Sequence, residues 1–189
     1  MAFDFDSLLR KLKPQKSAGV LKRRSDPRLR FVTDDTADSP VLLDTSVYID
    51  QLNDRLPASV RNLLDRSVLN HSAVAITELA HPFGRLDPEH SDTTANLDLI
   101  RTVIALIPQN RLLTPTLQAS VQAGVVTGII ARRLGLPKSD AQPMLNDATL
   151  FFHALETGSV LLTGNVRDLD LIQQLVPAGR GRVLFYRRL

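Results

Sequence analysis

Asp44 closes a short aliphatic run, Val41–Leu43, and is followed by two small hydroxyl residues, Thr45 and Ser46. A continuous aliphatic run is how a buried parallel strand reads. In open α/β sheets, ligands bind just outside the carboxyl ends of such strands. The pattern therefore puts a carboxylate where α/β proteins place their chemistry. Other acids stand at positions with geometric meaning. Glu78 falls in the first turn of a helix expected from Thr77. Asp147 interrupts an apolar stretch that includes Met144, Leu145, Ala148, Phe151 and Phe152. It shares a helix face with Phe151 and Ala154, at i+4 and i+7. Asn165 and Asp168 follow a second aliphatic run, Val160–Leu162.

An acid on an apolar helix face is costly unless it is paired, hydrogen-bonded or metal-bound. Several carboxylates cannot share a pocket in ionised form without a cation. Oxygen-only ligands suit a hard divalent ion, Mg²⁺ or Mn²⁺. Such an ion acidifies a bound water and stabilises the charge of an in-line phosphoryl displacement. Three or four of the carboxylates at these positions are accordingly expected to converge within one ion's coordination reach. Each residue also has a bland role: Asp44 as a helix cap, Glu78 as a first-turn dipole residue, Asp147 as a cap or an arginine partner, and Asn165 and Asp168 as turn residues. Their joint order is what points to a site.

The elements needed to position these groups can be read in outline. Phe5, Leu8, Leu9 and Leu12 have helical spacing, with Asp4 or Asp6 as cap and Pro14 as stop. Residues 15–40 show no sustained period and read as a mobile arm. Strand 41–44 leads into helical segments near 46–54 and 58–66. Val74–Ile76 reads as a short strand. Helices follow at about 90–107 and from Thr114–Pro115 to Leu134–Gly135. Pro143 opens a helix to Thr157, stopped by Gly158. Strand 160–162, a helix at 167–175 and strand 183–186 complete the chain. Strands alternating with helices imply a parallel sheet covered on both faces.

Composition narrows the chemistry. The 189 residues contain no cysteine, which excludes thiolate metal sites, a cysteine nucleophile and disulfides. The four histidines are scattered, with no His-x-x-x-His pair for zinc. No phosphate-cradling glycine loop and no G-x-S-x-G elbow occurs. Neither a secretory signal nor a membrane-length apolar run is present, so a soluble cytoplasmic protein is expected. Residues 1–40 hold nine Lys/Arg and six Asp, whereas the remainder is neutral. The basic stretch between Arg10 and Arg30 is either a solvated tail or a contact for nucleic acid, an acidic partner or an anionic surface. By default Arg132, Arg133 and Lys138 complement a helix C-terminus; they are also candidate contacts for an RNA backbone, which carries no sequence code. Arg180, Arg182, Arg187 and Arg188 are a second basic group.

Taken together, Leu42-Leu43-Asp44-Thr45-Ser46, Ile76-Thr77-Glu78-Leu79, Asn146-Asp147-Ala148 and Leu161-Leu162-Thr163-Gly164-Asn165-Val166-Arg167-Asp168-Leu169 resemble the motifs of PIN domains. The resemblance is greatest to the VapC-type toxins of bacterial toxin–antitoxin pairs and covers about residues 41–186. It implies a three-layer α/β/α fold with a central parallel sheet over residues 40–189. Residues 1–39 would then be a basic arm, partly helical or disordered. It also implies an Mg²⁺- or Mn²⁺-dependent endoribonuclease with Asp44, Glu78 and Asp147 as central acids. Glu78 would bind directly or through water. The fourth position falls on Asn165 or on Asp168, the latter with Leu169 where the family has Phe. Thr45, Ser46 and Thr163 match small polar positions lining such sites. An antitoxin partner and a homodimer belong to the same implication, and RNA is favoured over DNA on resemblance alone. The rival reading is a non-catalytic PIN-fold module that binds nucleic acid or a partner. A third has the 5–12 helix docking into a partner or a second copy.

Overall fold

Val41–Leu43 are buried to 3% exposure or less and form β1, the middle strand of a sheet. The computed structural model describes residues 3–137 and 141–189. Lys138, one of the expected RNA contacts, lies outside them. The chain runs through α1 (Phe5–Leu12), β1 (Val41–Leu43), α2 (Thr45–Leu52), α3 (Ala58–Arg66), β2 (Leu69–Ser72), α4 (Ala73–Ala80), α5 (Pro82–Arg85), α6 (Thr93–Ala105), β3 (Leu112–Leu113), α7 (Leu117–Leu134), α8 (Ala141–Glu156), β4 (Val160–Thr163), α9 (Val166–Leu175) and β5 (Val183–Phe185). All strand pairs are parallel, in the order β3-β2-β1-β4-β5, and helices flank the sheet. The chain builds outward from β1 on one side and then from β4 on the other. β1 and β4 therefore meet at the topological switch point, where α/β sheets open a crevice.

The core is aliphatic. Leu42, Leu161, Leu162 and Leu184 are fully covered, with Phe151 and Phe185 as the largest side chains among them. Each such leucine contributes roughly 1.5–3 kcal/mol relative to exposure. α7 packs along α8, and α8 and α9 against each other. Thr116 caps α7 by accepting from Ala119 N–H, and its own N–H and hydroxyl donate to Glu156 at the end of α8 (3.0 and 2.6 Å). Gly135, at φ 63°, ends α7 in the left-handed conformation that glycine tolerates.

One expected strand is corrected. Val74–Ile76 lie in α4, and the strand is the preceding Leu69-Asn70-His71-Ser72. Ser72 explains the boundary, because its Oγ accepts from Val74 N–H and starts the helix (3.2 Å). A polar strand survives in the core because every polar side chain is satisfied. Asn70 donates to Ser159 Oγ (3.0 Å), His71 Nδ1 pairs with the Tyr48 hydroxyl (2.6 Å), and Ser72 pairs with His153 Nδ1 (2.9 Å). Burial lowers the pKa of both histidines, which suits neutral rings in these bonds. β3 was not expected, and α8 begins at Ala141 rather than at Pro143.

The stretch expected as a mobile arm lies along the domain. Asp4 caps α1 through Ser7 N–H, and Leu8 is buried where α1 meets α7. Arg132 donates to the carbonyls of Pro14 and Ser17 (2.7 and 3.2 Å), and Arg133 to Gly19 O and Ser17 Oγ (2.9 and 3.3 Å). These two guanidinium groups, candidates for RNA contact in the sequence, hold the arm. Leu21 is buried at 5% exposure. Arg24 pairs with the fully covered Asp170 of α9. Phe31 then bridges Phe185 in parallel, with Phe185 N–H donating to Arg30 O and Val32 N–H to Phe185 O (both 2.9 Å).

Candidate active site

Asp44 stands at the carboxyl end of β1 and Asn165 just beyond β4, so the switch-point crevice carries the expected residues. Asp44 occupies the N-cap position of α2, yet its side chain makes no capping bond. Its Oδ2 instead accepts from Ser46 Oγ (2.5 Å) and Thr163 Oγ1 (2.6 Å). The capping role is thereby ruled out. Ser46 Oγ also accepts from Gly164 N–H (3.0 Å), tying the β1 loop to the β4 loop. Glu78 lies in the last turn of α4, not in a first turn. The helix dipole disfavours a negative charge there, so a dipole role does not explain it. It accepts from the hydroxyl of Thr45 and from Asn146 Nδ2 (2.6 Å).

Asp147 projects from α8 and accepts from Asn165 Nδ2 (2.8 Å), which also reaches Asp168 Oδ2 (3.2 Å). Asn165 Oδ1 accepts from Asp168 N–H and caps α9 (3.3 Å). Thr163 Oγ1 accepts from Asn165 N–H (2.8 Å). One amide thus sits between two carboxylates while its oxygen is committed to the helix. Burial raises the pKa of Asp44, and the charge of Glu78 adds to the effect. Burial also holds Asp147 well above the carboxylate range, reinforced by Asp44, Asp168 and Glu78. The four acids share one electrostatic field. None of them forms an ion pair among the described residues, where arginines engage Asp4, Asp26, Asp38, Asp50, Asp54, Asp98 and Asp170 instead.

The expected convergence within one coordination sphere is corrected. Among the described residues, no three His, Cys, Asp or Glu side chains gather closely enough to hold an ion as they stand. Each carboxylate is turned toward a neutral donor from Ser46, Thr163, Thr45, Asn146 or Asn165, and like charges favour that separation. The donor chemistry still fits a hard divalent cation: Asp44 is buried and Glu78, Asp147 and Asp168 are half-buried, all offer oxygen only, they repel one another, and none has a basic partner among the described residues.

Sequence reasoning overlooked the layer behind the rim. Asp50 of α2, fully covered, accepts from the Tyr186 hydroxyl (2.7 Å) and Arg188 Nε (2.8 Å). Gly164 leaves room for this group, since a Cβ there would stand 3.1 Å from Tyr186 Cζ. Asp50 follows Asp44 by six positions, and nothing local marks it as buried. Asn146 was visible only as the neighbour of Asp147.

No family model matches the sequence, and no curated protein matches it. Solved structures do match. VapBC-1 from nontypeable Haemophilus influenzae aligns at 19% identity over 79% of this chain and 98% of that one, with a TM-score of 0.51. VapBC2 from Rickettsia felis, bound to a DNA fragment from its promoter, aligns at 14% over 79% and 98%, TM-score 0.48. FitAB bound to an IR36 DNA fragment aligns at 16% over 78% and 94%, TM-score 0.46. The chain has a VapC-like PIN fold. Its all-parallel five-stranded sheet, flanked by helices, is the architecture expected of one.

Proposed function

We propose that this chain is a metal-dependent endoribonuclease that hydrolyses RNA phosphodiester bonds as the toxin of a toxin–antitoxin pair. One observation carries the reading: at the sheet's switch point Thr163 and Asn165 link Asp44 to Asp147 and Asp168, Asn146 holds Glu78 beside them, and none of the four acids has a basic partner among the described residues. Asp44 and Asp147 would hold Mg²⁺ or Mn²⁺ directly, and Glu78 directly or through water. The bound ion would supply an acidified water and a counter-charge for the displaced oxygen. Ser46 and Thr163 orient Asp44, and Thr45 and Asn146 orient Glu78. With its oxygen used by the α9 cap, Asn165 serves as a bridge, which leaves the fourth acidic position to Asp168.

An antitoxin partner is supported by the VapBC-1 neighbour and by an apolar groove beside Glu78. The groove holds about 180 Å³; Ile49, Leu52, Leu79, Pro82, Leu99 and Ile100 form its apolar lining, with Asn53, Asn96 and Glu78 among them. An apolar antitoxin segment would fill it. The homodimer is part of the same proposal, and so is a cytoplasmic location. No helix among the described residues is long and apolar enough to cross a membrane.

The test is RNA cleavage with added Mg²⁺ or Mn²⁺, alongside thermal unfolding with and without the ion. Asp44→Asn and Asp147→Asn should abolish cleavage while the proteins stay folded. The ion should raise the unfolding temperature of the parent chain but not of Asp147→Asn. Full cleavage by both variants would overturn the assignment. The open spacing of the carboxylates favours a second reading, a non-catalytic binding module. That reading requires no cleavage by the parent chain and no shift with the ion.

A further inference from the structure

The basic stretches 22–30 and 180–182 are far apart in sequence, and the fold joins them into one cleft. The cavity holds about 460 Å³, and Arg24, Arg28, Arg30, Arg180, Gln173 and Gly181 line it. Its position is fixed. Arg24 donates through its backbone N–H and Nε to the buried Asp170 (both 2.7 Å), and Gln174 Nε2 donates to Lys22 O (2.9 Å). Arg30 Nη1 donates to Gly181 O (3.0 Å), closing the cleft on its other side.

No carboxylate is among the lining residues. Arg24 is neutralised by Asp170, whereas Arg28, Arg30 and Arg180 form no ion pair among the described residues. Three uncompensated guanidinium groups in a concavity focus positive potential. Their planar forks match phosphate oxygens. One phosphodiester carries a single negative charge, so several consecutive ones balance this set better. The cleft precedes β5, at the amino ends of the parallel strands, whereas the acids line the carboxyl ends. It is therefore separate from the candidate active site. α9 joins the two, with Asp168 near its start and Gln173 five residues on, about 7.5 Å along the axis.

We propose that this cleft, formed by the N-terminal stretch and the approach to β5, binds the phosphodiester backbone of a nucleic acid without reading its sequence. The proposal does not rest on the nuclease reading. The test uses the full chain in EDTA, which prevents metal-dependent cleavage, with fluorescence anisotropy over a range of salt. The probes are a labelled single-stranded oligoribonucleotide, its DNA counterpart and a DNA duplex. The parent chain should bind at least one of them, with log affinity falling linearly in log salt. Arg28→Gln with Arg180→Gln should weaken that binding at least ~tenfold at low salt and reduce the single-strand slope by about 1.4, at ~0.7 per phosphate contact. Both side chains are exposed, so the unfolding temperature should not move. A loss confined to RNA would identify the backbone as RNA, and a loss shared with DNA would identify a general phosphodiester site. No binding by the parent chain, or unchanged affinity and slope in the double variant, would overturn the proposal.

Discussion

Asp170 carries the attachment of the N-terminal stretch, and its removal has a calculable consequence. It is fully covered and accepts from the backbone N–H and Nε of Arg24 and from Gln174 Nε2 (2.7, 2.7 and 3.0 Å), with Arg24 Nη2 at 2.6 Å. Asp170→Ala leaves the Arg24 donors unpaired, while Gln174 Nε2 keeps its bond to Lys22 O. Removing one member of a buried pair costs about 3–5 kcal/mol. The side chain of Arg24 is 26% exposed and can turn to water, which favours the lower end. About 3 kcal/mol corresponds to a fall of roughly 6–12 °C in unfolding temperature for a domain of this size. The variant should also become sensitive to trypsin at Arg23, Arg24 and Arg28, because the segment loses its anchor. Replacing both partners, Arg24→Leu with Asp170→Leu, should recover most of the stability, since no charge is left buried. Thermal unfolding followed by circular dichroism, with a timed trypsin digest, measures both effects. A loss under about 1 kcal/mol with an unchanged digest would show that the ion pair does not hold the arm.

The acidic rim has a signed pH dependence. Asp44 and Asp147 have raised pKa values, burial being the main cause, so their protonated forms favour the folded chain. The stability they contribute is complete below the ordinary value of 3.8 and is lost as pH rises through their higher folded values. Without a cation, Asp147→Asn should flatten that slope and raise the neutral-pH unfolding temperature; an unaltered slope in a pH series of melts would contradict the coupling. Gly179→Ala should destabilise by about 1–3 kcal/mol, as overpacking does. A Cβ there collides with the fully buried ring of Phe151, one turn beyond Asp147 on α8. Chemical denaturation reads this directly, and a neutral result would mean that the ring moves aside.

β1 and β4 were legible because a central parallel strand writes its burial into its own residues. β2 was not, since what makes Asn70, His71 and Ser72 tolerable are Ser159, Tyr48 and His153, 89, 23 and 81 positions away. Short range favoured Val74–Ile76 as the strand, and the Ser72 cap overrode it. The acids of the rim could be ordered along the chain, but their separation depends on which hydroxyl or amide each one meets. Thr163 lies 119 positions from Asp44. The charge of the N-terminal stretch was plain, whereas its docking rests on Asp170, a residue with no distinguishing mark in its own helix.

By pairing with Phe185, residues 30–32 occupy the end of β5's outer flank, where another polypeptide strand would have to displace them. The opposite margin of the sheet offers only the two residues of β3 as a template. Assembly by strand addition is thus hindered on one side and short of partners on the other. Growth into amyloid-like ladders is disfavoured for the same reason.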